Sequence, residues 1–361
     1  MRLLLWYWGR RGAGGQLALA LATALARRDD VAVALSLSAQ ADLGAEFDAL
    51  GLPTDRVRTY ASAAGFVAGF ARVPGLARRL VRQARAFRAD AVVSVMTHLW
   101  TPLVAPALPR AGLRFVPMVH DAEPHPGDAG AFWDWRLGRE LDAAESAIVF
   151  SDSVAAGVHR RRPALPLHRL PLGALLPGGA ARPEARSAGL RFVNLGRMRA
   201  YKGLDLLRDA WAAFQPRHPG ATLLLAGEGD PEALAPGLSA LPGVTVQARW
   251  LDEAEMATLI AGADAVVLPY REASQSGVAP LAHGLGVPVV ATPVGGLAEQ
   301  VRDGIDGVLA RDMTAAALVE ALEAMADPAR HAVLVQGARE TGRRLNDWDG
   351  IAARLVGMLR G

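Results

Sequence analysis

The sequence predicts two doubly wound α/β domains in tandem. Short apolar runs alternate with amphipathic stretches along the chain, the alternation breaks once at ALLPGGAARPEARSAG (174–189), and it then resumes. Such alternation is the signature of parallel βαβ units. A chain of 361 residues has room for two cores, and an apolar content of 51% excludes a disordered chain.

In the first half, the runs at 3–8, 31–37, 91–96, 114–120 and 147–150 read as strands. Between the first two, 16–28 is amphipathic, with Leu17, Leu21, Ala24 and Leu25 on one helical face. The break is dense in Pro, Gly and small residues and reads as a linker at 176–189, between domains at 1–175 and 190–345. Strands are expected again at 191–195, 222–226, 244–249, 265–269 and 288–291, each followed by a helical segment. The chain closes on an amphipathic helix at 346–361, expected to pack back on the first domain. Open parallel sheets bind ligands at the carboxyl ends of their strands, so a cleft between the domains is the expected site.

Composition narrows the function. The chain has no cysteine, which removes disulfides, thiolate nucleophiles and cysteine metal sites, and suits a reducing, cytoplasmic compartment. Residues 1–8 lack the features of a signal peptide, and charges interrupt every apolar run before it could span a bilayer. A formal charge of +3 argues against nucleic acid as a partner. A basic amphipathic stretch at 76–88 (LARRLVRQARAFR), with Arg78, Arg82 and Arg85, would suit peripheral contact with the inner membrane face. A solvated helix face with a buried stripe is the plainer reading.

One lysine, Lys202, stands among 39 basic residues, inside GRMRAYKG (196–203). Lysine offers a compact, movable point charge where arginine offers a flat fork. With Arg197 five positions earlier, it points to a grip on a diphosphate. A glycine cluster, WGRRGAGGQ, holds Gly14 and Gly15 between the first strand and first helix, where a backbone can approach an anion. Its spacing is not the dinucleotide fingerprint. A second cluster around Ser274, Gln275, Ser276 and Gly277 would aim hydroxyl and backbone donors at a phosphate from the start of a helix at Val278. Glu299, after the Gly295–Gly296 turn, suits either a helix dipole or a ligand. His98 and Trp100 in MTHLW, and His120, Asp121 and His125 in VHDAEPHPG, follow expected strands on the cleft side and are candidate ligand contacts.

The order GRxxxxKG, LLLAGEGDP (223–231), ADAVVLPYREASQSG (263–277) and GVPVVATPVGGLAE (286–299) resembles the nucleotide-binding half of retaining glycosyltransferases of family 4. The resemblance implies the GT-B fold, two Rossmann-like domains with a nucleotide-sugar donor in the second and a glycan or lipid-linked acceptor in the first. It implies catalysis with no metal and no cofactor besides the donor substrate, with Arg197 and Lys202 neutralising the leaving diphosphate. His120 would contact the transferred sugar or acceptor, Asp121 would polarise the acceptor hydroxyl, and His98, Trp100 and His125 would be acceptor-side candidates. Donor contacts would come from Gly14, Gly15, Gly196, Gly227 and Glu228, from backbone near Trp250 and Leu251, and from Glu272 and the 274–277 loop. One departure stands out: the two glutamates usual in the family fall on Ala273 and Leu281, with Glu272 one residue off the first slot. This looks like a divergent branch with a SQSG loop. The expected function is transfer of a sugar from a nucleotide diphosphate to an acceptor hydroxyl in polysaccharide or glycolipid biosynthesis. The alternatives are a nucleotide-sugar 2-epimerase of the same fold and a non-catalytic nucleotide-sugar binder.

Overall fold

A computed structural model of the chain describes residues 1–60, 62–124, 130–177 and 189–361. The candidate His125 and residues 178–188 of the expected linker lie outside the described residues.

In the first half, β1 (Arg2–Tyr7) leads to α1 (Ala13–Ala26), β2 (Ala32–Ser38) to α2 (Gly44–Ala49), and β3 (Thr54–Val57) to α3 (Ala63–Gly69) and α4 (Val73–Phe87). Then β4 (Ala91–Ser94) precedes α5 (Thr101–Val104) and α6 (Ala107–Arg110), β5 (Phe115–Val119) precedes α7 (Gly130–Ala143), and β6 (Ala147–Val149) precedes α8 (Asp152–Arg161) and β7 (Leu167–Arg169).

The second half repeats the scheme. Here β8 (Arg191–Leu195) leads to α9 (Leu204–Phe214), β9 (Thr222–Ala226) to α10 (Pro231–Leu234), and β10 (Val244–Gln247) to α11 (Glu253–Ala261). After them come β11 (Ala265–Leu268), α12 (Val278–Gly284), β12 (Val289–Ala291), α13 (Leu297–Gln300) and β13 (Gly307–Leu309). Three helices finish the chain: α14 (Ala315–Ala326), α15 (Pro328–Leu345) and α16 (Trp348–Arg360).

The chain forms two compact units, Met1–Pro171 with Asp347–Gly361, and Leu172–Asn346. Each holds one all-parallel sheet, ordered β3-β2-β1-β4-β5-β6-β7 in the first and β10-β9-β8-β11-β12-β13 in the second. In both, strand order reverses beside the first strand, between β1 and β4 and between β8 and β11. Loops leaving the carboxyl ends of these pairs splay apart, which is where doubly wound sheets hold ligands.

The sheets are covered on both faces. In the second unit, Phe192, Trp211 and Phe214 pack on one side and Val266, Ile260 and Leu297 on the other. In the first unit, Trp6, Trp8, Trp100 and Phe115 form the largest cluster. The closing helix α16 packs on α1 in the first unit, burying Ile351, Leu355 and Leu359 while Arg27 pairs with Asp349 at 2.6 Å. Residues 172–177 pack with the second unit, where Ala174 N–H donates to Leu345 O at 2.9 Å. Three strands go beyond the sequence expectation: β3, β7 and β13, of three or four residues each, at sheet edges. Among the described residues, no helix is long and apolar enough to cross a membrane.

Candidate active site

The second unit's switch point is built by backbone first. Inside β8, the buried Asn194 donates from Nδ2 to Val267 O of β11 at 2.8 Å, fixing the strands from which both functional loops leave. The loop after β8 docks on the loop after β9: Gly196 N–H donates to Ala226 O at 3.0 Å and Met198 N–H to Glu228 O at 2.8 Å. Gly227 makes this approach possible, because a Cβ there would lie 2.1 Å from Gly196 O. The chain then makes a single 3-10 turn at Ala200–Lys202, and Gly203 reverses it with φ 67° before α9. A Cβ on Gly203 would sit 1.9 Å from Pro269 O, so only glycine lets this turn rest against the loop after β11. Arg271 N–H, donating to Tyr201 O at 2.7 Å, closes the seam.

These contacts aim the lone lysine. Lys202 Nζ donates to Tyr270 Oη at 2.6 Å and lies 3.9 Å from the centroid of that ring. Tyr270 is 1% exposed, so the ammonium rests on a fixed support while the lysine stays half-buried. Arg197 is exposed, and its guanidinium forms no ion pair or hydrogen bond among the described residues. Glu228 and Glu272 are also exposed.

The SQSG loop is clamped, and differently from expectation. Gln300, from α13, accepts from Ser276 N–H at 2.7 Å and donates to Ser276 O at 2.9 Å. The Ser276 hydroxyl, 4% exposed, accepts from Val278 N–H at 3.2 Å and lies 3.4 Å from Tyr270 Oη. Ser276 was expected to offer hydroxyl and backbone donors to a phosphate; its backbone N–H donates instead to Gln300 Oε1, and its hydroxyl accepts from Val278 N–H beside Tyr270 Oη. Ser274 and Gln275 are half-buried and Gly277 is exposed. Leu251 has its side chain in the core, leaving only backbone for a ligand, while Trp250 is 56% exposed. Glu299 stands in the first turn of α13. Leu281 belongs to the core. Tyr270 and Gln300 are the residues that sequence reasoning missed.

In the first unit, Gly12 starts α1 with φ 85° and no side-chain cap, so the first amide groups of the helix have no side-chain acceptor. Gly14 and Gly15 are buried there, and a Cβ on Gly14 would meet the Tyr7 ring at 2.9 Å. Burial pushes the Tyr7 phenol up to about 12, with the Asp42 charge adding to it. His98 is 9% exposed and packs against Tyr60, Trp100 and Trp8. Its Nδ1 accepts from Trp100 N–H at 3.2 Å, which puts the proton on Nε2. Burial, with Arg10 nearby, holds this imidazole down at about 4, so it is neutral at physiological pH.

His120 Nε2 meets Val95 O at 2.9 Å and the ring packs on Phe150. Burial pushes its pKa down, against the hydrogen bond to Val95 and the Asp121 charge. Asp121 is half-buried. Trp100 corrects an expectation. It is 0% exposed, locked among Tyr60, Phe66 and His98, and therefore supports the surface from beneath without reaching it. A third residue that sequence reasoning missed is Glu140 of α7. It is buried and accepts from Thr97 Oγ1 at 2.8 Å, and burial pushes its carboxyl up to about 7.

Two parallel-sheet α/β units with an anchored cation at one switch point define the class of GT-B glycosyltransferases. Residues 14–174 match the family described as Glycosyltransferase Family 4, and residues 189–327 match Glycosyl transferases group 1. The chain is 31% identical over 299 residues to a glycogen synthase of Mycobacterium tuberculosis, covering 77% of this chain and 70% of that protein. It belongs to this glycosyltransferase family. It is also 30% identical over 201 residues to a D-inositol 3-phosphate glycosyltransferase of Acidothermus cellulolyticus, covering 51% of this chain and 44% of the relative. Among solved structures, Anabaena HepE in complex with UDP and glucose superposes with a TM-score of 0.76 at 17% identity, covering 100% of this chain and 99% of that one. Sucrose-phosphate synthase from Thermosynechococcus elongatus superposes at 0.74 and 19% identity, covering 100% and 98%.

Proposed function

We propose that the chain is a retaining, metal-independent glycosyltransferase that moves a sugar from a nucleoside diphosphate to an acceptor hydroxyl, in polysaccharide or glycolipid biosynthesis in the cytoplasm. The observation that carries this reading is Lys202, pinned on Tyr270 beside the β8/β11 switch point with its ammonium half-buried. A cation held in place before the reaction stabilises charge developing on a departing diphosphate without reorganising. Arg197, exposed on the same loop and without an ion-pair partner among the described residues, supplies the second charge. In this reading the second unit holds the donor. The first presents the acceptor near His98, His120 and Asp121, where both imidazoles are neutral and serve as hydrogen-bond partners. The leaving phosphate itself takes the acceptor proton. HepE has been solved with UDP and with UDP-glucose, which makes UDP-glucose the first donor to try.

The test is release of nucleoside diphosphate from a panel of sugar donors in excess EDTA, with NMR of the product's anomeric configuration. We expect turnover with retention, and loss of at least about a hundredfold in Lys202→Ala with the fold intact. Inversion, dependence on added metal, or near-normal turnover of Lys202→Ala would each refute its part of the proposal. A non-catalytic binder is the second reading, favoured by Leu281 in the core where relatives of the resemblance carry a glutamate. Calorimetric binding of UDP-glucose with no turnover toward any acceptor or water would select it.

A further inference from the structure

Many arginines on the first unit face a carboxylate. Arg27 pairs with Asp349, Arg56 with Asp48, Arg79 with Asp55 and Arg114 with Glu145. Four between α4 and α6 do not. Arg78, Arg82, Arg85 and Arg110 are exposed and have no carboxylate within ion-pair distance among the described residues. Arg78 and Arg85 donate only to the backbone carbonyls of Pro74 and Ala111. Positions 78, 82 and 85 form one stripe of α4 at i, i+4, i+7, and Arg110 comes from α6 to line the same groove. The groove has a volume of about 790 Å³, and between the arginines it is lined by Val81 and by alanines, including Ala77, Ala107 and Ala111.

This is an apolar floor under a cationic rim. Guanidinium groups take two phosphate oxygens at once, and four without counter-charge attract an anion strongly. The floor offers nothing to the rest of a fully hydrophilic anion, whereas it suits a glycerol backbone and the start of an acyl chain. Immediately ahead of α4 the chain also exposes two large apolar side chains, Val67 at 67% and Phe70 at 43%.

We propose that the groove between α4 and α6 is a phospholipid headgroup site by which the first unit docks on an anionic bilayer. The inference does not rest on sugar transfer, because this surface carries none of the residues assigned to donor or acceptor. The test is sedimentation of the full chain with phosphatidylcholine vesicles, with and without phosphatidylglycerol. Binding is expected only with phosphatidylglycerol. At about 1 kcal/mol per arginine near such a surface, Arg82→Ala with Arg85→Ala should weaken partitioning about thirtyfold. Arg330→Ala with Arg343→Ala, an equal loss of charge in the second unit, should change it little. Three results would overturn the proposal: no binding to anionic vesicles, an equal loss in both double variants, or binding of glycerol phosphate without any partitioning. The last would make the groove a site for a free phosphate.

Discussion

Lys202 and Tyr270 form a single unit: the ammonium donates to the phenol oxygen at 2.6 Å while lying over the ring. The tyrosine is buried and gives up no surface to a ligand, so its effect on the reaction passes through the lysine. Tyr270→Phe keeps the ring and removes the oxygen. It should cost about 1 kcal/mol of stability for one lost hydrogen bond. Turnover should fall about tenfold, because the ammonium loses its directional anchor. Urea unfolding and nucleotide-release rates check the two figures, and unchanged turnover would reduce the phenol to a space filler.

The amide of Gln300 answers both backbone groups of Ser276, and Ser276 is buried. Gln300→Ala leaves a buried N–H and a buried C=O unpaired, at about 1–3 kcal/mol each. Part of that cost should appear as disorder of the 274–277 loop. The expected result is a melting point lowered in the free protein and a smaller upward shift on adding UDP. An unchanged ligand-induced shift would separate the loop from donor binding.

Much of this site was legible as motif and little of it as geometry. The loops at 196–203 and 269–277 could be placed at strand ends because β8 and β11 are apolar runs with clear boundaries. Nothing in LAEQ (297–300) announces that Gln300 clamps a serine 24 positions earlier, since that contact exists only after α13 folds against the loop. For the same reason nothing in the motif showed that the Ser276 backbone N–H is taken by Gln300. Trp100 misled because an aromatic residue after a strand faces the core as readily as the surface. The strands β3 (TDRV) and β7 (LHR) escaped because an edge strand of three or four half-exposed residues needs no apolar run. Elsewhere the alternation of runs and helices was enough, because both faces of a parallel sheet must be covered.

Backbone conformation at the lysine turn makes a sharper prediction. Gly203 combines φ 67° with a carbonyl oxygen 1.9 Å from where a Cβ would stand, and the obstacle is backbone, not a movable side chain. Gly203→Ala should lose about 3 kcal/mol or more and should displace Lys202. Gly357, inside α16 with open space around it, is the control: Gly357→Ala should gain about 0.5–1 kcal/mol. Equal effects of the two substitutions in chemical denaturation would contradict the close packing of the turn.

Two buried groups of the first unit, Glu140 and His98, give opposite pH dependences in overlapping windows. Glu140 is raised from 4.5 to about 7, so the folded chain holds a proton that the unfolded chain has released. Its contribution to stability therefore falls as pH rises from about 4.5 to about 7. His98 is lowered from 6.5 to about 4, so the unfolded chain binds a proton that the folded chain refuses, and stability falls as pH drops from about 6.5 to about 4. Each shift of about 2.5 units is worth up to about 3 kcal/mol, and between about 4.5 and 6.5 the two slopes cancel. Each single variant should uncover the other group. Glu140→Gln should lose stability on acidification through that window, whereas His98→Asn should lose it as the pH is raised. Urea midpoints at half-unit pH steps measure both slopes, and parallel profiles for the two variants would rule out the opposition.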